Sequence, residues 1–294
     1  MTAAAIGVAL LSALLFAVGF VMQQRAASEV PDDESLGFGL VRRLVRRPIW
    51  LIGTGADSLG YVAQAVALGL GSLVLVQPLL ATSLLFALPL GAWWAKRRLR
   101  RSDAVWALAL TAGLAVFLVA GNPTEGVDLA DIGPWLIAAA VFVPVTGACI
   151  LVAARSRGAR RAVLLAVATG ILYGVAAALT KSTVSLLDDG FVGIVTSWEP
   201  YALVAAAGLG TYLQQSAFQA GDLSQSLPAV SVLEPVIAVV LGITLLQEDL
   251  QADGLEWALI VVSAVAMIAA TAALARSQAE AVPEPEPEAA PAAA

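Results

Sequence analysis

The chain has 294 residues, 60% of them hydrophobic and 13% charged, with a mean hydropathy of +0.86. Soluble domains are about 45–50% apolar and about 25% charged, so a water-soluble fold of this length could not hide so much apolar surface. The single cysteine, Cys149, excludes an internal disulfide framework, and the lack of histidine excludes His-based acid–base, metal and triad chemistry.

A bilayer core about 30 Å thick takes roughly 20 apolar residues per helical span. In chain order, nine runs meet that length: residues 3–22, 49–70, 72–95, 104–121, 134–154, 162–181, 198–220, 224–246 and 255–275. The first lacks a basic n-region and is followed by Gln23-Gln24-Arg25, where a signal peptide would carry a small-residue cleavage site. It is expected to be retained as a helix. Residues 36–47 mix apolar and basic side chains at helical spacing. Two readings stand for them: an amphipathic segment on an anionic leaflet, or a solvated loop. Residues 277–294 carry alternating Pro and Glu, which builds no core, and are expected to form a disordered tail.

Charge sets the orientation. Arg25, Arg42, Arg43, Arg46 and Arg47 follow the first run; Lys96, Arg97, Arg98, Arg100 and Arg101 follow the third. Arg155, Arg157, Arg160 and Arg161 follow the fifth, and Arg276 follows the ninth. With nine crossings, all of the 16 basic residues except Lys181 fall on one face, which the positive-inside rule makes cytoplasmic. The N-terminus is then outside and the C-terminus inside. Trp50, Trp93, Trp94, Trp106, Trp135, Trp198 and Trp257 all lie near run ends, where amphipathic rings favour the interface. The excess of Arg over Lys and the abundant Ala fit a GC-rich bacterial genome, and hence a multi-pass protein of the plasma (inner) membrane.

The halves resemble each other. Gly71-Ser72-Leu73 and Pro78 match Gly221-Asp222-Leu223 and Pro228 at a constant spacing of 150 residues. Tyr61-x-x-Gln64 matches Tyr212-x-x-Gln215, and Phe16-Ala17-Val18 matches Tyr173-Gly174-Val175. The expected architecture is all-α: a first repeat over 1–121, a linker with the fifth helix over 122–160, a second repeat over 161–276, and the tail. Each repeat has four helices and one helix separates them, so the repeats are inverted. That is a transporter architecture, with the site near the midplane between the halves.

Leu233-Glu234-Pro235-Val236-Ile237-Ala238, then Gly242, then Leu246-Gln247-Glu248-Asp249-Leu250 before the last apolar run, resembles the drug/metabolite transporter superfamily, in its EamA-like and NIPA-like branch. Gln77-Pro78-Leu79-Leu80-Ala81 and Gly91 echo the pattern in the first half, and the resemblance covers residues 3–275. EamA-like members typically have ten helices. This chain departs from them, because no second span lies between Arg25 and Pro48. The nine-helix layout is nearer the NIPA-like branch, whose link to magnesium transport the resemblance therefore implies.

Ionisable groups at membrane depth cost about 2.5–3.5 kcal/mol on insertion scales and are functional candidates by default. Glu234 is the foremost, beside Pro235, which frees a backbone carbonyl. It is read as a cation, proton or amine site, or else as a protonated group bonded to a neighbouring helix. Asp57, among Gly53, Gly55 and Ser58, is either part of that site or helix–helix glue. Three roles are open for Lys181: snorkelling to the interface, pairing with Glu199, Asp188 or Asp189, and gating the outer mouth. Gln23, Gln24, Gln64, Gln214 and Gln215 either line a cavity or bond between helices, with Gln64 and Gln215 at equivalent repeat positions. Pro78, Pro89, Pro228 and Pro235 would bend the third and eighth runs, helping to form a cavity or hinge, or are simply tolerated in membrane helices; Pro78, Pro228 and Pro235 are the hinge candidates. Glu248, Asp249 and Asp253 read as solvated groups in an outer loop, and Glu125, Asp128 and Asp131 as outward-facing acids that attract cations weakly.

No Walker loop, dinucleotide fingerprint, zinc spacing or nucleic-acid patch occurs. The expectation is therefore a secondary transporter of a small metabolite, drug or cation, not an enzyme, with no cofactor and no resident metal. Its partners are its substrate and the surrounding lipid, and a homodimer is compatible with it. A magnesium-type cation transporter and a non-transporting scaffold or assembly subunit are the competing readings.

Overall fold

The structure, a computed structural model, describes residues 3–28, 47–94, 100–220 and 223–279. The protein is all-α: α1 (Ala3–Ser28), α2 (Pro48–Leu70), α3 (Leu73–Leu80), α4 (Ser83–Trp94), α5 (Arg101–Gly121), α6 (Ile132–Ala154), α7 (Gly158–Ser185), α8 (Gly190–Thr196), α9 (Glu199–Ala220), α10 (Leu223–Thr244) and α11 (Leu255–Ala279). A two-residue antiparallel pairing of β1 (Pro123–Thr124) with β2 (Asp249–Leu250) ties the loop after α5 to the loop after α10. Among the described residues, seven segments are long and apolar enough to cross a membrane: Ala3–Gln23, Leu73–Trp94, Arg101–Gly121, Ile132–Ala154, Gly158–Thr196, Ser226–Thr244 and Leu255–Ser277. This is an all-α membrane protein. Helices α2 and α9 match these spans in length but are diluted by polar residues, Asp57 and Gln64 in one, Gln214 and Gln215 in the other.

Several of the sequence-expected boundaries move outward by about a turn, and the others stay within two residues. Helix α7 begins at Gly158 and α11 continues to Ala279, since no helix breaker intervenes before Pro283. The amphipathic segment expected over 36–47 lies, except for Arg47, outside the described residues, as do Lys96, Arg97, Arg98 and the tail from 280.

Glycines set the helix crossings. A Cβ on Gly19 of α1 would lie 2.9 Å from the Gly53 carbonyl oxygen of α2, and one on Gly53 2.9 Å from Met22. On the other half, a Cβ on Gly174 of α7 would lie 2.6 Å from the Ile237 Cβ of α10. Helices α1 and α2 form an antiparallel hairpin, in which the Ser12 hydroxyl donates to the Gly60 carbonyl at 2.7 Å and the Phe16 ring covers Gly60. In the α7–α9 pair the Thr169 hydroxyl donates to the Gly210 carbonyl at 3.5 Å and the Tyr173 ring covers Gly210.

Proline acts differently in the two halves. After Pro78 the helix breaks at Ala81–Thr82 into α3 and α4, with the Thr82 and Leu85 amides bonding to Leu79 and Thr82 in tight i→i−3 turns. Helix α10 runs unbroken through Pro228 and Pro235.

The bundle has two chemically different ends. At one, the Arg25 guanidinium lies 4.9 Å over the Trp94 ring, which brings the end of α1 to the end of α4. The antiparallel contacts bring Arg47, the Arg155–Arg161 stretch and Arg276 to that same end. The opposite end holds the start of α1, where Ala5 meets Gly71, together with the α5–α6 and α10–α11 loops. There the Val127 amide donates to the Leu246 carbonyl at 2.7 Å, and a Cβ on Gly126 would collide with that same backbone. All eight residues of α3, which begins at this end, are buried.

Candidate functional site

Glu234 lies midway along α10, half-buried. The following Pro235 has no amide to offer the Ser231 carbonyl, so a freed acceptor sits one turn away. Gly170 and Gly174 let α7 press directly on this stretch, with the Glu234 backbone 2.9–3.5 Å from where their Cβ atoms would be. Tyr173, between those glycines in sequence, donates its hydroxyl to Gln214 Oε1 at 3.0 Å and meets Thr211 Oγ1 at 3.2 Å. That hydroxyl lies within electrostatic reach of both Glu234 and Asp57.

Asp57 reaches the same region from α2 and is half-buried. It accepts a hydrogen bond from the Gln23 side chain of α1, a contact that the Gly19–Gly53 crossing makes possible. Two hydrogen-bonded pairs, Asp57 with Gln23 from the first half and Tyr173 with Gln214 from the second, are thus linked electrostatically, with Glu234 within reach of the same phenol. Residues Ser231 to Ile237 are all partly accessible, in contrast to the sealed α3.

Other sequence candidates fall elsewhere. Gln64 is buried in α2 and Gln215 is exposed on α9, so the two equivalent glutamines stand in different surroundings. Gln214 bonds Tyr173, because its side chain turns towards α7 while the next one along turns away. Gln24 belongs to α1, but its side chain lies outside the described residues. Pro78 and Pro228 are buried and Pro235 is half-buried.

Lys181 and Glu248 correct two expectations. Lys181 does not snorkel, and Glu248 is not solvated. The Lys181 ammonium is 3.0 Å from Glu248 Oε1, with side-chain exposures of 4% and 0%. Lys181 also donates to the Gly71 carbonyl at 3.0 Å. Glu248 accepts the Leu73 and Val74 amides at 2.7 and 2.9 Å and so caps the first turn of α3, where Ser72 adds a third cap by accepting the Leu75 amide. Helix N-termini carry unpaired donors and partial positive charge, which is why a loop acid is drawn inward here. Beside this cluster is a cleft of about 390 Å3 lined by Ser72, Leu75, Asn122, Pro123, Thr124, Glu125 and Gln251.

Tyr173, Gln23 and Gln214 as one group, and the Lys181–Glu248 pair, were not assembled by sequence reasoning. One available signal was the replacement of Phe16 by a hydroxyl-bearing ring at its repeat counterpart. Another was Gly242, where a Cβ would lie 2.6 Å from Glu248 Oε2.

No protein-family model and no solved structure matches the chain. An uncharacterized protein of Corynebacterium glutamicum is 38% identical over 270 residues, spanning 92% of this chain and 93% of the relative. Likeness at that level over nearly the whole of both chains shows common descent, and the chain belongs to the family of that Corynebacterium glutamicum protein.

Proposed function

We propose that this protein is a secondary transporter of the drug/metabolite transporter type, moving a small solute across the plasma membrane by alternating access. The observation that carries the reading is that Asp57, from the first half, and Glu234, from the second, both lie within electrostatic reach of the Tyr173 hydroxyl inside an apolar bundle. Carboxyls are expensive at that depth, and helices that carry them to a half-accessible interior do so most economically for a solute or a proton. Two acids within electrostatic reach of one phenol favour a cationic solute or proton coupling.

Nine crossings and inverted repeats belong to the same reading. Support comes from the paired contacts Ser12–Gly60 and Thr169–Gly210, and Phe16–Gly60 and Tyr173–Gly210. Both pairs relate the α1 and α7 positions by the same spacing of 157 residues. An odd number of crossings fits a chain that starts at one end of the bundle and finishes at the basic end, with the basic end cytoplasmic.

The test is uptake by purified protein in liposomes under an imposed proton gradient, with tetraphenylphosphonium, methylammonium and Mg2+ as probes. Wild-type protein is expected to take up at least one. Glu234→Gln, still monodisperse, is expected to lower that uptake at least tenfold. A wild-type rate in the variant removes Glu234 from the mechanism. Uptake of Mg2+ alone selects the magnesium-type reading, and no uptake together with a stoichiometric co-purifying partner selects the scaffold reading.

A further inference from the structure

We propose that the Lys181–Glu248 pair is the latch of a gate at the end of the bundle opposite the basic clusters, and that α3 is the moving leaf, hinged after Pro78. The proposal rests on the transporter reading for its purpose, but not for its geometry.

The latch joins three segments far apart in sequence. Lys181 comes from α7, Glu248 from the loop after α10, and the groups they hold (the Gly71 carbonyl and the Leu73 and Val74 amides) from the junction of α2 with α3. Apart from the Lys181–Glu248 contact itself, each of these bonds ends on the α2–α3 junction or the first turn of α3, so breaking them removes the polar clasp on that end of the helix and leaves only apolar packing, such as Leu73 against Gly242, to hold it to the second half. The other end of α3 is already interrupted. Pro78 supplies no amide to the Val74 carbonyl, and the chain turns at Ala81–Thr82 before α4 begins. An eight-residue helix clasped at one end and broken at the other is a leaf. The corresponding stretch of α10 keeps its helix through two prolines and has no such break.

The chemistry of the clasp points the same way. A buried ion pair gains Coulomb energy but loses the hydration of both ions, so it holds a joint no better than well-packed apolar side chains do. What it adds is a way out: on opening, each ion recovers the hydration it lost, which offsets part of the Coulomb energy given up. The local backbone is shaped for the closed state. Gln247 adopts φ 55°, in the left-handed region, and so aims Glu248 inward. Gly242 leaves the space the carboxylate occupies. Over the top lies a strap, the 122–128 loop, held by the β1–β2 pairing and by the Ser185 hydroxyl donating to the Asp128 carbonyl at 3.3 Å. The cleft between strap and latch has Ser72 and Leu75, the first turn of α3, as its floor.

The gate is read by thiol accessibility in nanodiscs, in a Cys149→Ser background carrying Leu75→Cys, at a position that is 1% exposed. The probe is a hydrophilic maleimide, quantified by mass spectrometry of the peptide that contains position 75. Adding Glu248→Gln or Lys181→Met is expected to speed labelling at least tenfold. A disulfide between Thr124→Cys and Asp249→Cys, which face each other across the β1–β2 pairing, is expected to return it to the parent rate until reductant is added. Labelling within twofold of the parent in monodisperse latch variants overturns the proposal. If those variants do not fold, the cross-link alone decides, in the otherwise intact latch. Labelling at least fivefold slower when oxidised than when reduced supports the gate, and equal rates with the bridge formed overturn it. A latch that behaves as expected in a protein that takes up none of the three probes refutes the transporter reading and leaves the gate standing.

Discussion

Removing the Glu248 carboxylate strands three groups at once: the Lys181 ammonium and the Leu73 and Val74 amides. A buried charge left without its partner destabilises by about 3–5 kcal/mol. Lys181→Met is milder, because the remaining carboxylate keeps two amide donors and the positive end of α3. Such helix-terminal placement is worth up to about 2 kcal/mol in partly buried sites. Glu248→Ala is therefore expected to lower the Tm in detergent by about twice as much as Lys181→Met. Equal losses would mean that the helix cap contributes nothing. None of this is visible along the chain. Lys181 and Glu248 are 67 residues apart, and an acid followed by Asp249 in a loop reads as solvated until α3 offers it unpaired amides. Glu234 and Asp57 were legible because an ionisable residue within an apolar run is anomalous wherever the run folds.

At the scale of the helix, the crossing glycines separate contact from lipid exposure. A Cβ on Gly174 would lie 2.6 Å from the Ile237 Cβ and 2.9 Å from the Glu234 carbonyl oxygen, whereas one on Gly55 meets nothing within 4 Å. Gly174→Leu is expected to force α7 from α10, at a cost of about 1–3 kcal/mol or more, and to displace Tyr173 from Gln214. Gly55→Leu is expected to stay within about 0.5 kcal/mol of the parent, as surface changes do. A thermal melt of both variants checks the contrast, and similar losses would place the tight crossing elsewhere. The existence and order of the helices were legible from the apolar runs, since about 20 such residues have few other solutions in lipid. Which face each helix turns inward was not. Gln64 and Gln215 share a motif position yet one is buried and the other exposed, because α2 and α9 pack against different neighbours. The hinge at Ala81–Thr82 was legible only as a bend at Pro78. Whether proline breaks a helix depends on what surrounds it, and Pro228 and Pro235 are accommodated without a break.

For the whole molecule, the separation of charge between its ends is the feature that orients it. Transferring arginines across a bilayer core is costly, so the orientation proposed above keeps the clusters at Arg25, Arg155–Arg161 and Arg276 on the side where the chain is made and puts the other end on the far side. Ser156 lies between Arg155 and Arg157, and Glu125 lies in the strap at the opposite end. In a Cys149→Ser background, Glu125→Cys is expected to react with an impermeant maleimide on intact cells, and Ser156→Cys only after lysis. The two positions are separated by a single long helix, α6. Reaction of both from outside would therefore mean that α6 does not cross, and with it the inversion of the two halves would be lost. Reaction of Ser156→Cys alone would turn the bundle over, placing the Lys181–Glu248 pair on the cytoplasmic side and the arginine clusters outside, the reverse of the orientation proposed from the cost of moving cations through lipid.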